Sequence, residues 1–152
     1  MADLRLPAGT IGDREVSNTD GNQINQAKLC HLTKYTERFG LAIGATPTTQ
    51  EVILFQADKA GKLGDDISAA LNDSGTSTSV SFDVKKNGTT VLSSAISVVH
   101  GTGDRTQVAG SFASTSAQAY AAGDVISCAV TASSTTGAQG PMLNYQRVEV
   151  GD

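Results

Sequence analysis

The sequence predicts an all-β protein: a single antiparallel β-sandwich or jelly roll preceded by an extended N-terminal arm. Three observations predict it. Apolar residues recur at every second position in successive short runs, as in strands with one face buried and the other wet. An Asn-Gly pair, Asn87-Gly88, lies between two such runs, and this dipeptide favours a tight hairpin because both central residues take positive φ. Composition agrees: 15 Ser, 17 Thr and 16 Gly among 152 residues, with aromatics at 5% and no Trp, make small β-tolerant side chains dominant.

Residues 1–28 form the expected arm. Gly9, Gly12, Gly21, Asp13, Asp20, Asn18, Asn22 and Asn25 punctuate a stretch in which Leu4, Leu6, Ile11, Val16 and Ile24 stand isolated. No helical or strand period runs through it. Two readings fit: a loose terminus, or an arm whose spaced apolar side chains dock on a neighbouring subunit. The β-sandwich domain is expected over residues 29–152. There Phe39, Leu41 and Ile43 alternate with small residues, followed by the apolar run Val52-Ile53-Leu54-Phe55. Asp65 to Asn72, bracketed by Gly64 and Gly75, fits a short helix and a strand equally well. Val80, Phe82 and Val84 alternate next, then Ile96 with Val98, then Val108, Gly110 and Phe112, then Ile126, Cys128 and Val130. Leu143 and Tyr145 share one parity and Val148 and Val150 the other, which predicts a bulge near Gln146.

Loop tips are expected at Gly101-Thr102-Gly103-Asp104 and Ala122-Gly123-Asp124, and Asp104-Arg105 reads as an ion pair. Thr76 to Ser79 and Ser133 to Thr136 are polar tracts suited to loops or strand edges. Seven or eight strands with hairpin-length connections and no βαβ alternation define the class. A body of this length can bury a core without metal or disulfides. That core would be light, built from many Ala and Val and few rings.

Composition narrows the function. A net charge of −4 and isolated Lys85-Lys86 and Lys59 to Lys62 argue against a nucleic-acid partner. No run is long enough to span a membrane, and the charged start, Met1 to Arg5, lacks a secretory pattern. The reading is a soluble chain made in the cytoplasm.

Catalysis needs a base, and the only histidines are His31 and His100. Cys30 and His31 are adjacent, so strand alternation points them apart and spoils a nucleophile pair. Cys30, His31, His100 and Cys128 lack the short paired spacings of zinc sites. Asp65-Asp66, with Asp58 and Asp73 nearby, lacks calcium-loop spacing and reads as surface acid. Gly101-x-Gly103 has no third glycine at the phosphate-loop offset. The scarcity of rings weighs against a carbohydrate-stacking face. No catalytic, metal or cofactor residues are therefore expected, and the two cysteines read as inert thiols.

The segment Gly75 to Ser93, a strand–Asn87-Gly88–strand unit, resembles a unit of tailed-phage virion β-sandwich domains. Tyr120-Ala121-Ala122-Gly123-Asp124-Val125-Ile126 is similar to the aromatic–small–Gly-Asp-x-Ile strand start of the same domains. Such domains occur in head decoration (cement) proteins and in tail fibre or baseplate modules. A polar arm followed by one β domain is most like a decoration protein. The resemblance implies a non-enzymatic virion protein bound to the major capsid protein at the capsid surface, as a homotrimer with arms spread over adjacent subunits. On that view Leu4, Leu6, Ile11, Val16 and Ile24 form the capsid-binding arm. The alternative implied is a receptor- or glycan-binding tail module.

Overall fold

The structure is a computed structural model describing residues 34–149. The arm residues Leu4, Leu6, Ile11, Val16 and Ile24, and also Cys30, His31 and Val150, lie outside the described residues. The chain is all-β. Its strands are β1 (Lys34–Gly40), β2 (Gln50–Gln56), β3 (Gly61–Lys86), β4 (Thr89–Thr90), β5 (Ile96–Val99), β6 (Val108–Ala109), β7 (Ala119–Tyr120) and β8 (Val125–Glu149). A 3-10 turn, His100–Thr102, and one helical turn, α1 (Thr115–Gln118), are the only helical pieces among the described residues.

All eight strands join in one antiparallel sheet. Its spine is the ladder between β3 and β8, which runs from Gly61↔Glu149 to Lys86↔Ile126. On the outer side of β8, β1 pairs with its C-terminal half and β2 with its N-terminal half. On the outer side of β3, β7, β6, β5 and β4 pair in turn along its length. A ladder this long buries little unless it folds over, and it does so at its middle. There Gly75 and Thr76 oppose Gly137 alone, and three paired positions further, between Ser79↔Ser134 and Val80↔Ala132, β8 carries the extra residue Ser133. Two-against-one pairings of this kind bend and twist a ribbon. Gly75 has φ +62°, a conformation that costs an L side chain heavily.

The bend sets which residues face inward. Before it, β3 buries Leu63, Ile67, Ala69 and Leu71; after it, Val80, Phe82 and Val84. β8 answers with Ile126, Cys128 and Val130, then Leu143 and Tyr145. All belong to one hydrophobic cluster, with Ile96 and Val98 of β5. Phe82 is wholly buried, and a side chain of its class gains about 1.5–3 kcal/mol by leaving water. The two ends of the ladder meet at Phe55 of β2. Its ring lies edge-on to Tyr120 at 5.5 Å and stacks on Tyr145 at 6.2 Å. The Arg147 guanidinium sits 4.9 Å from the ring centre, and Tyr145 Oη donates to Glu37 at 2.7 Å.

Several local expectations are corrected. Asp65 to Asn72 is strand, inside β3. Leu41 and Ile43 fall beyond β1, and Ile43 is 72% exposed. The expected bulge near Gln146 is in the partner strand: Gly64, Asp65 and Asp66 of β3 oppose Gln146 alone. β8 alternates regularly there, so Val148, although buried, lies outside the core cluster. β2 holds another bulge, where Leu54 is inserted between Ile53↔Ser127 and Phe55↔Ile126. It lets the adjacent Leu54 and Phe55 both pack on the core.

Candidate functional site

At one end of the ladder three connections knit together. Asn87 and Gly88 take φ +49° and +81°, the positive values a two-residue hairpin turn needs. Lys86 and Thr89 pair across it. Asn87 Nδ2 donates to Asp124 Oδ1 at 2.7 Å, and Asn87 Oδ1 accepts the Val125 N–H at 2.9 Å. The Asn87 N–H donates to the Val125 carbonyl at 2.9 Å. Asp124 Oδ2 accepts the Ala121 N–H at 2.8 Å. Ala57, after β2, exchanges backbone bonds with Asp124 and Gly123 at 2.8 and 2.6 Å. The Ala121 N–H first, and the Asn87 amide second, hold the Asp124 carboxyl below its ordinary value of 3.8. Asn87 and Asp124 each come from one of the two motifs singled out in the sequence, and the fold brings them into direct contact.

A second polar cluster braces the bend. Asp104 Oδ1 accepts the Ser74 N–H at 2.8 Å and the Ser74 hydroxyl lies 3.0 Å away. These bonds, the backbone one first, lower the Asp104 carboxyl from its ordinary value. The His100 ring places Nδ1 2.9 Å from the Gly75 carbonyl oxygen, which that nitrogen's proton satisfies. Arg105 Nε donates to Asn72 Oδ1 at 3.0 Å. Asp104 and Arg105 each hydrogen-bond into β3, and the neighbouring Arg105 charge adds to the lowering of the Asp104 carboxyl. Serine, histidine and aspartate are neighbours here, but a nucleophilic serine needs its hydroxyl on an imidazole nitrogen. Ser74 instead faces a carboxylate and the His100 carbonyl, and it is buried. The chemistry of this cluster is that of a brace.

Cys128 is wholly buried between Ile126 and Val130. Burial first, and then the charges of Asp83 and Glu51, push its thiol up to about 12, which leaves no thiolate for reaction near neutral pH. Tyr145 is likewise raised, by burial and then by its bond to Glu37. Among the described residues no three His, Cys, Asp or Glu side chains gather as metal ligands. Asp65 and Asp73, from the acid-rich stretch, are engaged separately: Asp65 accepts the Gln118 amide at 2.7 Å and Asp73 the Gly75 N–H at 2.8 Å. No helix of the described residues is long and apolar enough to cross a membrane.

Two surface features could meet a partner. The outer face of the half carrying β2 presents Glu51 beside Ser127 and Lys85, at 2.7 and 3.1 Å. Those bonds, the Ser127 hydroxyl first, lower the Glu51 carboxyl. Ile53 lies next to it in β2, 67% exposed. Short side chains continue the face across β3 and β5, where Ser81 pairs with Thr131 and Ser97. The second feature is an open groove of about 360 Å³ between β3 and the β6–α1 segment, lined by Asp65, Ser111, Phe112, Thr115 and Gln118 among others. Sequence reasoning missed this groove, because Asp65 is turned to it by the β3 bulge and meets Gln118 from 53 residues away.

Comparison with protein-family models, with curated proteins and with solved structures finds no match for this chain.

Proposed function

We propose that the chain is a structural protein of a tailed-phage virion. It binds the major capsid protein on the outside of the shell and stabilises subunit joints, as a decoration or cement protein, and it assembles as a homotrimer. The observation that carries the reading is the contact between its two motif segments. The Asn87-Gly88 turn and the Gly123-Asp124 strand start resemble virion β-sandwich units separately in sequence, and they form one hydrogen-bonded unit in space. The hydroxyl-bearing outer face, with the exposed Ile53 on the edge strand β2, suits packing against a subunit surface. Many weak clamp contacts, linked through a trimer and its arms, add up to firm attachment. Copy number in purified particles tests it. A number on the scale of the capsid protein supports decoration; a handful per particle overturns it.

The groove beside Asp65 favours a second reading, a receptor- or glycan-binding tail module. A carboxylate, hydroxyls and the half-buried Phe112 ring offer the polar and apolar contacts a sugar uses. Low copy number together with glycan binding abolished by Asp65→Ala would select it.

A further inference from the structure

Asn87-Gly88 is the one Asn-Gly pair in the sequence. Such a pair holds both parts of a succinimide: a side-chain amide and a following backbone nitrogen with no side chain to shield it. The Gly88 nitrogen attacks Asn87 Cγ, the C–N bond to the amide nitrogen breaks and ammonia leaves. Water then opens the ring, giving aspartate or isoaspartate. The turn is exposed to water, and the space where a Gly88 Cβ would stand is open.

The folded chain ties the reacting amide at both ends. Its nitrogen donates to Asp124 at 2.7 Å and its oxygen accepts from Val125 at 2.9 Å. Asp124 is itself fixed by the Ala121 N–H. Swinging Cγ onto the Gly88 nitrogen gives up both bonds, one of them charge-assisted. We propose that Asn87 is a latent deamidation site, held back by Asp124, and that its conversion releases the same end of the domain. Aspartate at 87 would set a second carboxylate where the 2.7 Å bond to Asp124 now lies, and like charges at that distance repel. The nearest lysine, Lys86, already donates to the Ala119 carbonyl at 2.6 Å. Isoaspartate would add a backbone methylene to a two-residue turn whose geometry sets the Lys86↔Thr89 register.

The test incubates the full chain at mildly alkaline pH and follows the Asn87 peptide by mass and by isoaspartate methyltransferase labelling. Wild type in buffer, wild type unfolded in urea, and Asp124→Ala, checked as folded by circular dichroism, are compared. The native wild type is expected to convert slowest, and both other samples about tenfold faster or more. A folded Asp124→Ala protein that reacts no faster than wild type overturns the proposal. If Asp124→Ala does not fold, the native-against-urea comparison decides, and equal rates overturn it. Asn87→Asp tests the release: its thermal midpoint should fall and cleavage within 86–89 and 121–125 should speed up, and an unchanged midpoint and cleavage pattern overturn that half.

Discussion

Asp124 and Asp104 each accept a backbone N–H and a side-chain donor, and in both the carboxylate is favoured over the acid. The sign of the linkage follows. A depressed native pKa contributes stability that is fully present above the unfolded value, 3.8 for each, and is lost as pH falls through the lower native value. Urea midpoints measured from about pH 6 down to about pH 2 should therefore fall steeply only below the ordinary carboxylate range. Asp124→Asn should flatten that fall while lowering stability at neutral pH; a slope identical to wild type would show that the clamp has no weight in acid unfolding. Cys128 behaves in the opposite sense, because burial disfavours its charged form. Peptide mapping after alkylation of the native protein should find Cys128 unlabelled. Cys128→Ala should cost about 1–2 kcal/mol by chemical denaturation through lost packing, with the fold retained. Rapid native labelling at Cys128 would contradict its placement in the core.

The element that decides the fold is the bend in the β3–β8 ladder, and Gly75 is its tightest point. A Cβ there would stand 2.7 Å from the Ala138 nitrogen, on a backbone already at φ +62°. Gly75→Ala should therefore destabilise by roughly 2 kcal/mol or more, the left-handed cost plus displacement of β8. Gly88→Ala is the control: φ is +81° but nothing lies within 4 Å, so only the conformational cost of about 1–2 kcal/mol applies. Equal losses in the two variants would show that the close approach at Gly75 relaxes freely. The same glycine shows what was and was not legible in the sequence. Period-two alternation in Val80 to Val84 and Ile126 to Val130 revealed strands, and Asn87-Gly88 its hairpin, because both signals are local. Gly64 and Gly75 read as brackets around a separate element, whereas they are a bulge and a bend inside one strand. A glycine that interrupts a strand and one that ends it have the same neighbours in sequence; only the partner strand distinguishes them. For the same reason the Asn87–Asp124 contact was hidden, since its two halves are 37 residues apart. The parity change after Tyr145 was real, but it reflects Val148 facing away from the core, with the extra residues in β3.

For the whole molecule, the core is continuous but light: Phe82 is the only phenylalanine wholly inside it, and Ala, Val and Leu fill most of the rest. Hydroxyl side chains such as Ser77, Ser97 and Thr131 and the exposed Ile53 remain outside. A small monomer of this kind has little stability to spare, and the decoration reading expects a trimer. Mass measurement at micromolar concentration checks it, and a strict monomer that still decorates particles would count against it. The arm provides the sharper test. Among the described residues, the core cluster and the side chains packed on it lie between Phe39 and Tyr145, and deleting residues 2–28 should leave the β circular dichroism signal intact. Attachment is a separate matter. Ordering a chain costs about 1–2 kcal/mol per residue fixed, while burying a Leu or Ile returns roughly 1.5–3 kcal/mol. Leu4, Leu6, Ile11, Val16 and Ile24 are therefore too few to order the whole stretch by side-chain burial alone. On the decoration reading, backbone hydrogen bonds to the capsid supply the remainder, which requires a surface shaped to receive the arm. The truncated protein should consequently bind empty capsids severely more weakly than the full chain. Unchanged occupancy after truncation would transfer the binding role to the β domain, with the Ile53–Glu51 face the next surface to mutate.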